Sequence, residues 1–155
     1  MLLDKKVLLL EDNTTSSVVQ INMQENGYDV YGARNFVAAH EYISIEPGIN
    51  AFHFLVVDLE LPLPKRASKY FSPEELQKIR ALKEETNCCL SGWIWIQRIL
   101  REHPSFSGRV LVLSAYTDVL HESEQQAYKN SIGFISKTDP EVIDKLLAAL
   151  GGKTS

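Results

Sequence analysis

The sequence predicts a single α/β domain in which helices wind both faces of a five-stranded, all-parallel sheet. Short apolar runs recur at 6–10, 28–31, 53–57, 109–113 and 132–136, and amphipathic segments at helical spacing separate one run from the next. Strands that alternate with helices pack as a parallel sheet with right-handed crossovers. The run Phe54-Leu55-Val56-Val57 is apolar at every position, the pattern of a strand buried on both faces, and it delivers Asp58 to its carboxyl end before Pro62.

The chain of 155 residues is 45% hydrophobic, enough for one well-packed domain spanning 1–155 and too short for two. A formal charge of -4 argues against a nucleic-acid-binding surface, which carries a basic stripe. The N-terminus bears Asp4, Lys5 and Lys6 ahead of a short apolar run, which is neither a signal peptide nor a membrane span. A soluble, cytoplasmic protein is expected. Cys88 and Cys89 are adjacent, a spacing unsuited to a zinc knuckle or a redox pair, so both read as reduced thiols. His40, His53, His103 and His121 are scattered singly, without metal-ligand spacing.

In chain order, the first strand ends in Glu11-Asp12-Asn13. Asn13 or Thr14 is placed to cap a helix whose apolar positions are Val18 and Ile21 with the offset pair Val19 and Met23, and Gly27 ends it. A short strand follows over 28–31, and Asn35 opens a helix carrying Phe36, Val37, Ala39 and Ile43 that Pro47-Gly48 breaks. The strand over 53–57 presents Asp58. A polar segment over 63–89 then interrupts the alternation. Within it Ser72-Pro73-Glu74-Glu75 is a capping box with proline at the first helical position, followed by Leu76, Ile79 and Leu82 on one face, so an extra helix is expected. The next helix carries Trp93, Ile96, Ile99 and Leu100 and stops before Pro104. The strand over 109–113 finishes in Ser114-Ala115, a polar helix over roughly 118–129 follows, and the strand over 132–136 delivers Lys137. Asp139-Pro140 caps the last helix, whose stripe of Val142, Ile143, Leu146, Leu147 and Leu150 is closed by Gly151-Gly152.

Chemistry therefore gathers at four strand tips: Glu11 and Asp12, Asp58, Ser114 and Lys137. In a parallel sheet all of them lie on one edge, where open α/β sheets bind ligands. An aspartate in that place, taken alone, also serves to cap the following turn. Three carboxylates together repel one another unless a cation neutralises them, and an all-oxygen set with open positions suits Mg²⁺, which keeps waters and accepts a phosphate oxygen. An ammonium and a hydroxyl beside them would hold the other oxygens of a phosphoryl group, which describes a phosphoryl site built on a carboxylate nucleophile.

On these residues the sequence, from Lys6 to about Leu150, resembles the receiver domain of two-component response regulators, a flavodoxin-like (βα)5 fold. The resemblance implies that Asp58 is the phospho-acceptor, supplied by a sensor histidine kinase or a histidine phosphotransfer protein. It implies that Glu11, Asp12, Asp58 and the main-chain carbonyl of Glu60 hold Mg²⁺. Lys137 would pair with phosphoryl oxygens, Ser114 would swing to hydrogen-bond one of them, and Phe134 would be the aromatic that turns inward as Ser114 moves. Phe134 by itself also suits a plain core aromatic. Ala115 matches the small residue that leaves the phosphoryl group accessible. The output would be altered binding of a downstream target protein, with homodimerisation through the face of the 118–129 helix, the last strand and the last helix as a further option. Neither nucleic acid binding nor membrane insertion is implied. Since only 151–155 follow the last helix, the expectation is that output is binding and not a second domain.

The sequence departs from the family in two places. Segment 63–89 reads as an insertion ahead of the family's third helix, either a tolerated surface excursion or a lid or docking helix beside the site, and Lys65, Arg66 and Lys69 favour the latter. Thr138 follows Lys137 where many receivers have a cis proline. Glu60 and Tyr116 flank the approach to the phosphoryl group and are expected to slow its hydrolysis. Two rivals remain. A phosphorylation-independent pseudo-receiver would bind its partner identically when Asp58 is changed to Asn. A haloacid-dehalogenase-type phosphatase also places Asp, Ser or Thr, and Lys at strand tips, but Glu60 replaces its second Asp and 155 residues leave no room for a cap domain.

Overall fold

The computed structural model describes residues 5–12, 15–115 and 117–151. The elements are β1 (Lys5–Leu10), α1 (Thr15–Glu25), β2 (Tyr28–Ala33), α2 (Phe36–Ile43), β3 (Phe54–Val57), α3 (Pro73–Thr86), α4 (Ser91–Glu102), β4 (Val110–Ser114), α5 (Glu122–Ala127), β5 (Ile132–Ser136) and α6 (Val142–Gly151). The five strands form one sheet in the order β2-β1-β3-β4-β5, and every pairing is parallel. The chain turns one way from β1 to β2 and the other way from β3 onward. The switch point, and with it the crevice at the carboxyl ends, thus falls between β1 and β3.

Alternation along the strands divides the core into two layers. Leu8, Leu10, Leu55, Val57, Val110 and Val112 face α2, α3 and α4, where they meet Phe36, Ile79, Trp93, Trp95 and Ile99. Val7, Leu9, Val56, Leu111 and Leu113 face α1 and α6, meeting Val19, Met23, Leu146 and Leu150. Of the two offset apolar pairs on α1, Val19 and Met23 are fully buried, whereas Val18 is 54% and Ile21 52% exposed. Both pairs have helical spacing, and only the phase that meets Val7 and Leu9 is selected. The proposed caps Asn13 and Thr14 lie outside the described residues.

Two elements differ in length from their sequence signals. β2 runs on through Gly32 and Ala33 because these pair with Leu9 and Leu10 of β1, a tertiary ladder that overrides the glycine's weak strand preference. The helix expected over 118–129 is a 3₁₀ turn at Thr117–Val119 followed by the six-residue α5, since after the buried Leu120 the segment lacks an apolar stripe to hold a longer helix. At α6, Asp139 Oδ1 accepts the Glu141 N–H at 2.8 Å and its carbonyl accepts from Val142 at 3.1 Å, so Asp139 caps as expected, although regular helix begins only at Val142.

Segment 63–89 contains α3, held by the expected capping box: Ser72 Oγ accepts from the Glu75 N–H at 3.1 Å, and Glu75 Oε1 accepts from the Ser72 N–H at 2.9 Å. Asn87, at φ 62°, ends the helix in the left-handed region. The segment leaves and returns at neighbouring points. Leu61 and Leu90 form a parallel bridge, the Leu61 N–H donates to the Cys89 carbonyl at 3.2 Å, and the buried Ser91 hydroxyl donates to the Leu61 carbonyl. α4 therefore starts beside β3 despite the long detour.

Candidate phosphoryl-accepting site

β1 and β3 are adjacent, with Leu10 opposite Val57, so the residues just beyond each strand reach the same level. The Asp58 N–H donates to the Leu10 carbonyl at 2.9 Å and the Glu11 N–H to the Ala33 carbonyl at 3.0 Å, which fixes both backbones. Their side chains are almost fully buried, while Asp12 is exposed at the mouth. Carboxylate oxygens of Glu11, Asp12 and Asp58 all lie within 4.8 Å of one another. Such an all-oxygen set with one exposed member fits a hard divalent cation with open positions.

Lys137 enters this cluster from β5. Its N–H donates to the Ser114 carbonyl at 3.1 Å, and Nζ donates to Glu11 Oε1 at 2.8 Å and Asp58 Oδ2 at 2.7 Å. The ammonium side chain is only 7% exposed. Desolvation pulls its pKa down, but the hydrogen bonds and charges of Asp58 and Glu11 outweigh that and hold it above the ordinary lysine value. The Lys137–Thr138 peptide is trans, and Thr138 N–H donates to Ser136 Oγ at 3.2 Å to set the backbone beyond the lysine.

The second oxygen of Asp58 is oriented locally, because Oδ1 accepts the Glu60 N–H at 3.1 Å. Behind Asp58 stands Gly92. A Cβ built there would lie 1.9 Å from the Asp58 carbonyl oxygen and 3.0 Å from that of Leu59. Only glycine lets the first turn of α4 approach so closely, and the Gly92 N–H uses that approach to donate to the Leu59 carbonyl at 3.0 Å.

Asp12, Asp58, Glu60, Ala115 and Lys137 border one cavity of about 580 Å³. Ser114 is fully buried at the tip of β4, opposite Ser136 of β5, with Ala115 forming the rim. Phe134 lies on the other flank of β5, half-buried, with its ring 6.2 Å from that of Trp93. Trp93 in turn packs edge-on against Tyr128 and donates its indole N–H to Glu124 of α5 at 3.1 Å. The structure thus brings Glu11, Asp12, Asp58, Glu60 and Lys137 together, with Ser114 on the neighbouring strand tip and Phe134 in the layer below. Tyr116 lies outside the described residues.

Segment 63–89 does reach the site, though through residues other than those expected. Lys65, Arg66 and Lys69 line a separate cavity of about 500 Å³ with Asn35, Val37 and Tyr70. Arg80 and Lys83 of α3 border the acidic cavity instead, beside Ile79, Leu63 and Cys89. Their sequence signal was a basic pair three residues apart, starting directly after Ile79 of the apolar stripe. Cys88 and Cys89 are free thiols. Burial and then the Glu60 carboxylate push the Cys88 thiol up, against a hydrogen bond from Thr86, so it is a weak nucleophile at neutral pH.

No family model matches the sequence, and no curated protein matches it. Solved structures do match its fold. A response regulator receiver protein from Sinorhizobium medicae aligns over 96% of this chain and 93% of its own, with a TM-score of 0.60 at 16% identity. The signal receiver domain of an HD domain-containing protein from Pseudomonas fluorescens aligns over 97% and 94%, with a TM-score of 0.62 at 15% identity. A response regulator from Burkholderia pseudomallei, solved with a phosphorylated aspartic acid, a calcium ion and citrate, aligns over 95% of this chain and 66% of its own, with a TM-score of 0.57 at 22% identity. The five-stranded order β2-β1-β3-β4-β5, with helices on both faces and the acidic cluster at its switch point, is the response regulator receiver fold.

Proposed function

We propose that this chain is a working phosphoryl acceptor in a two-component or phosphorelay pathway, and that phosphorylation of Asp58 changes its binding to a downstream protein. The observation that carries this reading is the buried Lys137 ammonium bonded at once to Asp58 and Glu11, whose carboxylates lie within 4.8 Å of that of Asp12. That arrangement holds a nucleophilic carboxylate in a fixed orientation. Among the described residues no helix is long and apolar enough to cross a membrane, which accords with a cytoplasmic place of work.

In this reading a carboxylate oxygen of Asp58 attacks phosphorus on the phosphohistidine of a sensor kinase or phosphotransfer protein. The P–N bond breaks, its electron pair returns to the imidazole, and that ring takes a proton from solvent. Glu11, Asp12, Asp58 and the Glu60 carbonyl would hold Mg²⁺, which supplies charge neutralisation for the transferring oxygens. Lys137 follows the charge by exchanging an Asp58 oxygen for a phosphoryl oxygen. The Ser114 hydroxyl donates to another, a charge-assisted bond worth about 1.5–3 kcal/mol. That energy shifts a two-state equilibrium roughly 10- to 150-fold, enough to make a minor conformer dominant. The conformer would be read at the α5–β5–α6 face, where Phe134 rests on Trp93. The chain acts once per phosphoryl group, with at most slow loss of it by hydrolysis, and is not a turnover enzyme.

Intact mass after incubation with Mg²⁺ and acetyl phosphate tests the reading. One added phosphoryl group that is labile to hydroxylamine, depends on Mg²⁺ and is absent from Asp58→Asn is expected. Failure of both acetyl phosphate and a phosphohistidine donor to label the native chain would overturn it.

A further inference from the structure

α3 is fixed firmly beside the acidic cavity. Its capping box holds the first turn, Ile79 is 2% exposed, and Arg98 of α4 pairs with Glu75 at 3.5 Å. Near its other end Glu85 meets His121, just ahead of α5, at 3.0 Å. A helix anchored at both ends has its faces assigned, and three-residue spacing puts Arg80 and Lys83 on the same one. Both are exposed, both border the cavity that holds Asp58, and neither joins an ion pair among the described residues.

The charge of the cavity gives these two cations a task. Asp12, Asp58 and Glu60 border the cavity with Lys137, and Glu11 is buried behind them against the same ammonium, so four carboxylates meet one lysine cation. Even a bound divalent cation would leave the mouth net negative, which opposes an incoming phosphoryl group that itself carries two negative charges. Arg80 and Lys83 reverse that sign.

We propose that Arg80 and Lys83 are specificity-determining residues of the site, forming a cationic gate that favours donors with a dianionic phosphoryl group, for which acetyl phosphate is the small-molecule probe. This rests on the acceptor role of Asp58 proposed above. The gated step is balanced without any further reactant. An Asp58 oxygen forms a bond to phosphorus, the bond from phosphorus to the acyl oxygen breaks, and its electron pair leaves with the carboxylate product.

The test compares acetyl phosphate with phosphoramidate, whose protonated nitrogen leaves it with one negative charge less, on the native chain and on Arg80→Ala/Lys83→Ala. Exposed charge contacts are each worth a small factor, so the double variant should be phosphorylated by acetyl phosphate roughly 3- to 30-fold more slowly at low salt. Its rate with phosphoramidate should change by less than about twofold, and the inverse salt dependence of the native rate should flatten. Mg²⁺ affinity, followed by tryptophan fluorescence, should move the other way and tighten, because two repelling cations are gone. A merely structural role for α3 would not produce these opposite shifts. Arg80→Lys/Lys83→Arg should behave as native and Arg80→Glu/Lys83→Glu should exaggerate the loss. Equal slowing with both donors, or unchanged Mg²⁺ affinity, would overturn the gate while leaving Asp58 as acceptor. No labelling of the native chain by either donor would overturn the acceptor reading and the gate together.

Discussion

Replacing Lys137 by methionine keeps most of the side-chain volume and removes one charge from between two buried carboxylates. In the native chain Nζ lies 2.8 Å from Glu11 and 2.7 Å from Asp58, and the three side chains are 7%, 0% and 6% exposed. Breaking a buried ion pair by deleting one partner costs about 3–5 kcal/mol. The adjoining cavity and the exposed Asp12 admit solvent, so the lower end applies, and in a domain of this size ~3 kcal/mol lowers Tm by roughly 6–12 °C. The charge origin has a pH signature. Carboxylates buried side by side without a counter-ion repel only while ionised, which favours protonation in the fold. Groups with raised folded pKa values contribute stability that is present at low pH and lost as pH rises. The Tm deficit measured by circular dichroism without metal should therefore be large at pH 7 and shrink towards pH 4.5. Adding Asp58→Asn to the variant should recover part of the loss, and Mg²⁺ should raise its Tm more than that of the native chain. A deficit of the same size at both pH values would show that lost packing, and not uncompensated charge, is responsible.

The native lysine makes the complementary prediction. Its folded pKa is raised, so the stability it contributes is fully present below the unfolded value of about 10.4 and declines as pH rises through the folded value, a loss of Tm above about pH 10.5 that Lys137→Met should lack. Gly92→Ala should destabilise by at least the roughly 1–3 kcal/mol of core overpacking and slow labelling of Asp58, because the new methyl meets backbone and not a movable side chain; unchanged denaturant midpoint and labelling rate would contradict the close approach. Ser91→Ala leaves the buried Leu61 carbonyl short of a donor and should cost about 1–3 kcal/mol in urea unfolding. Ser114→Ala should still accept a phosphoryl group yet lose most of the conformational response, seen as a smaller change in Trp93 fluorescence on phosphorylation. Glu60→Ala should shorten the lifetime of the phosphoryl group, followed by mass after the donor is removed.

Burial decided what the sequence disclosed. β3 and β4 are covered on both sides, so their positions had to be apolar and stood out as continuous runs, and the polar residues ending them were visible as anomalies. Asp58 and Ser114 were legible for that reason, Lys137 by its place after the edge strand β5, and α3 by the local pattern of its capping box. The phase of α1 was not, since Val18 with Ile21 and Val19 with Met23 fit a helix equally well and only the opposing Val7 and Leu9 choose between them. Nor did local pattern reveal that Arg80 and Lys83 look into the acidic cavity while Lys65 and Arg66 do not. That outcome depends on the Leu61–Leu90 bridge and the Glu75–Arg98 pair, which join residues far apart in the chain. The close approach of Gly92 to the Asp58 carbonyl exists only once both elements are in place.

The two-layer core has an optical consequence. Trp93 and Trp95 are the only tryptophans in the chain, both belong to α4, and both lie in the aromatic layer with Phe36, Phe71 and Phe106. The opposite layer is built from aliphatic side chains and Met23, bordered by Tyr28 and Phe54. Tryptophan emission therefore views one side of the sheet. Loosening of α1 and α6 would pass almost unseen in fluorescence while helical circular dichroism fell, so a gap between the two melting curves would report which side of the molecule gives way first.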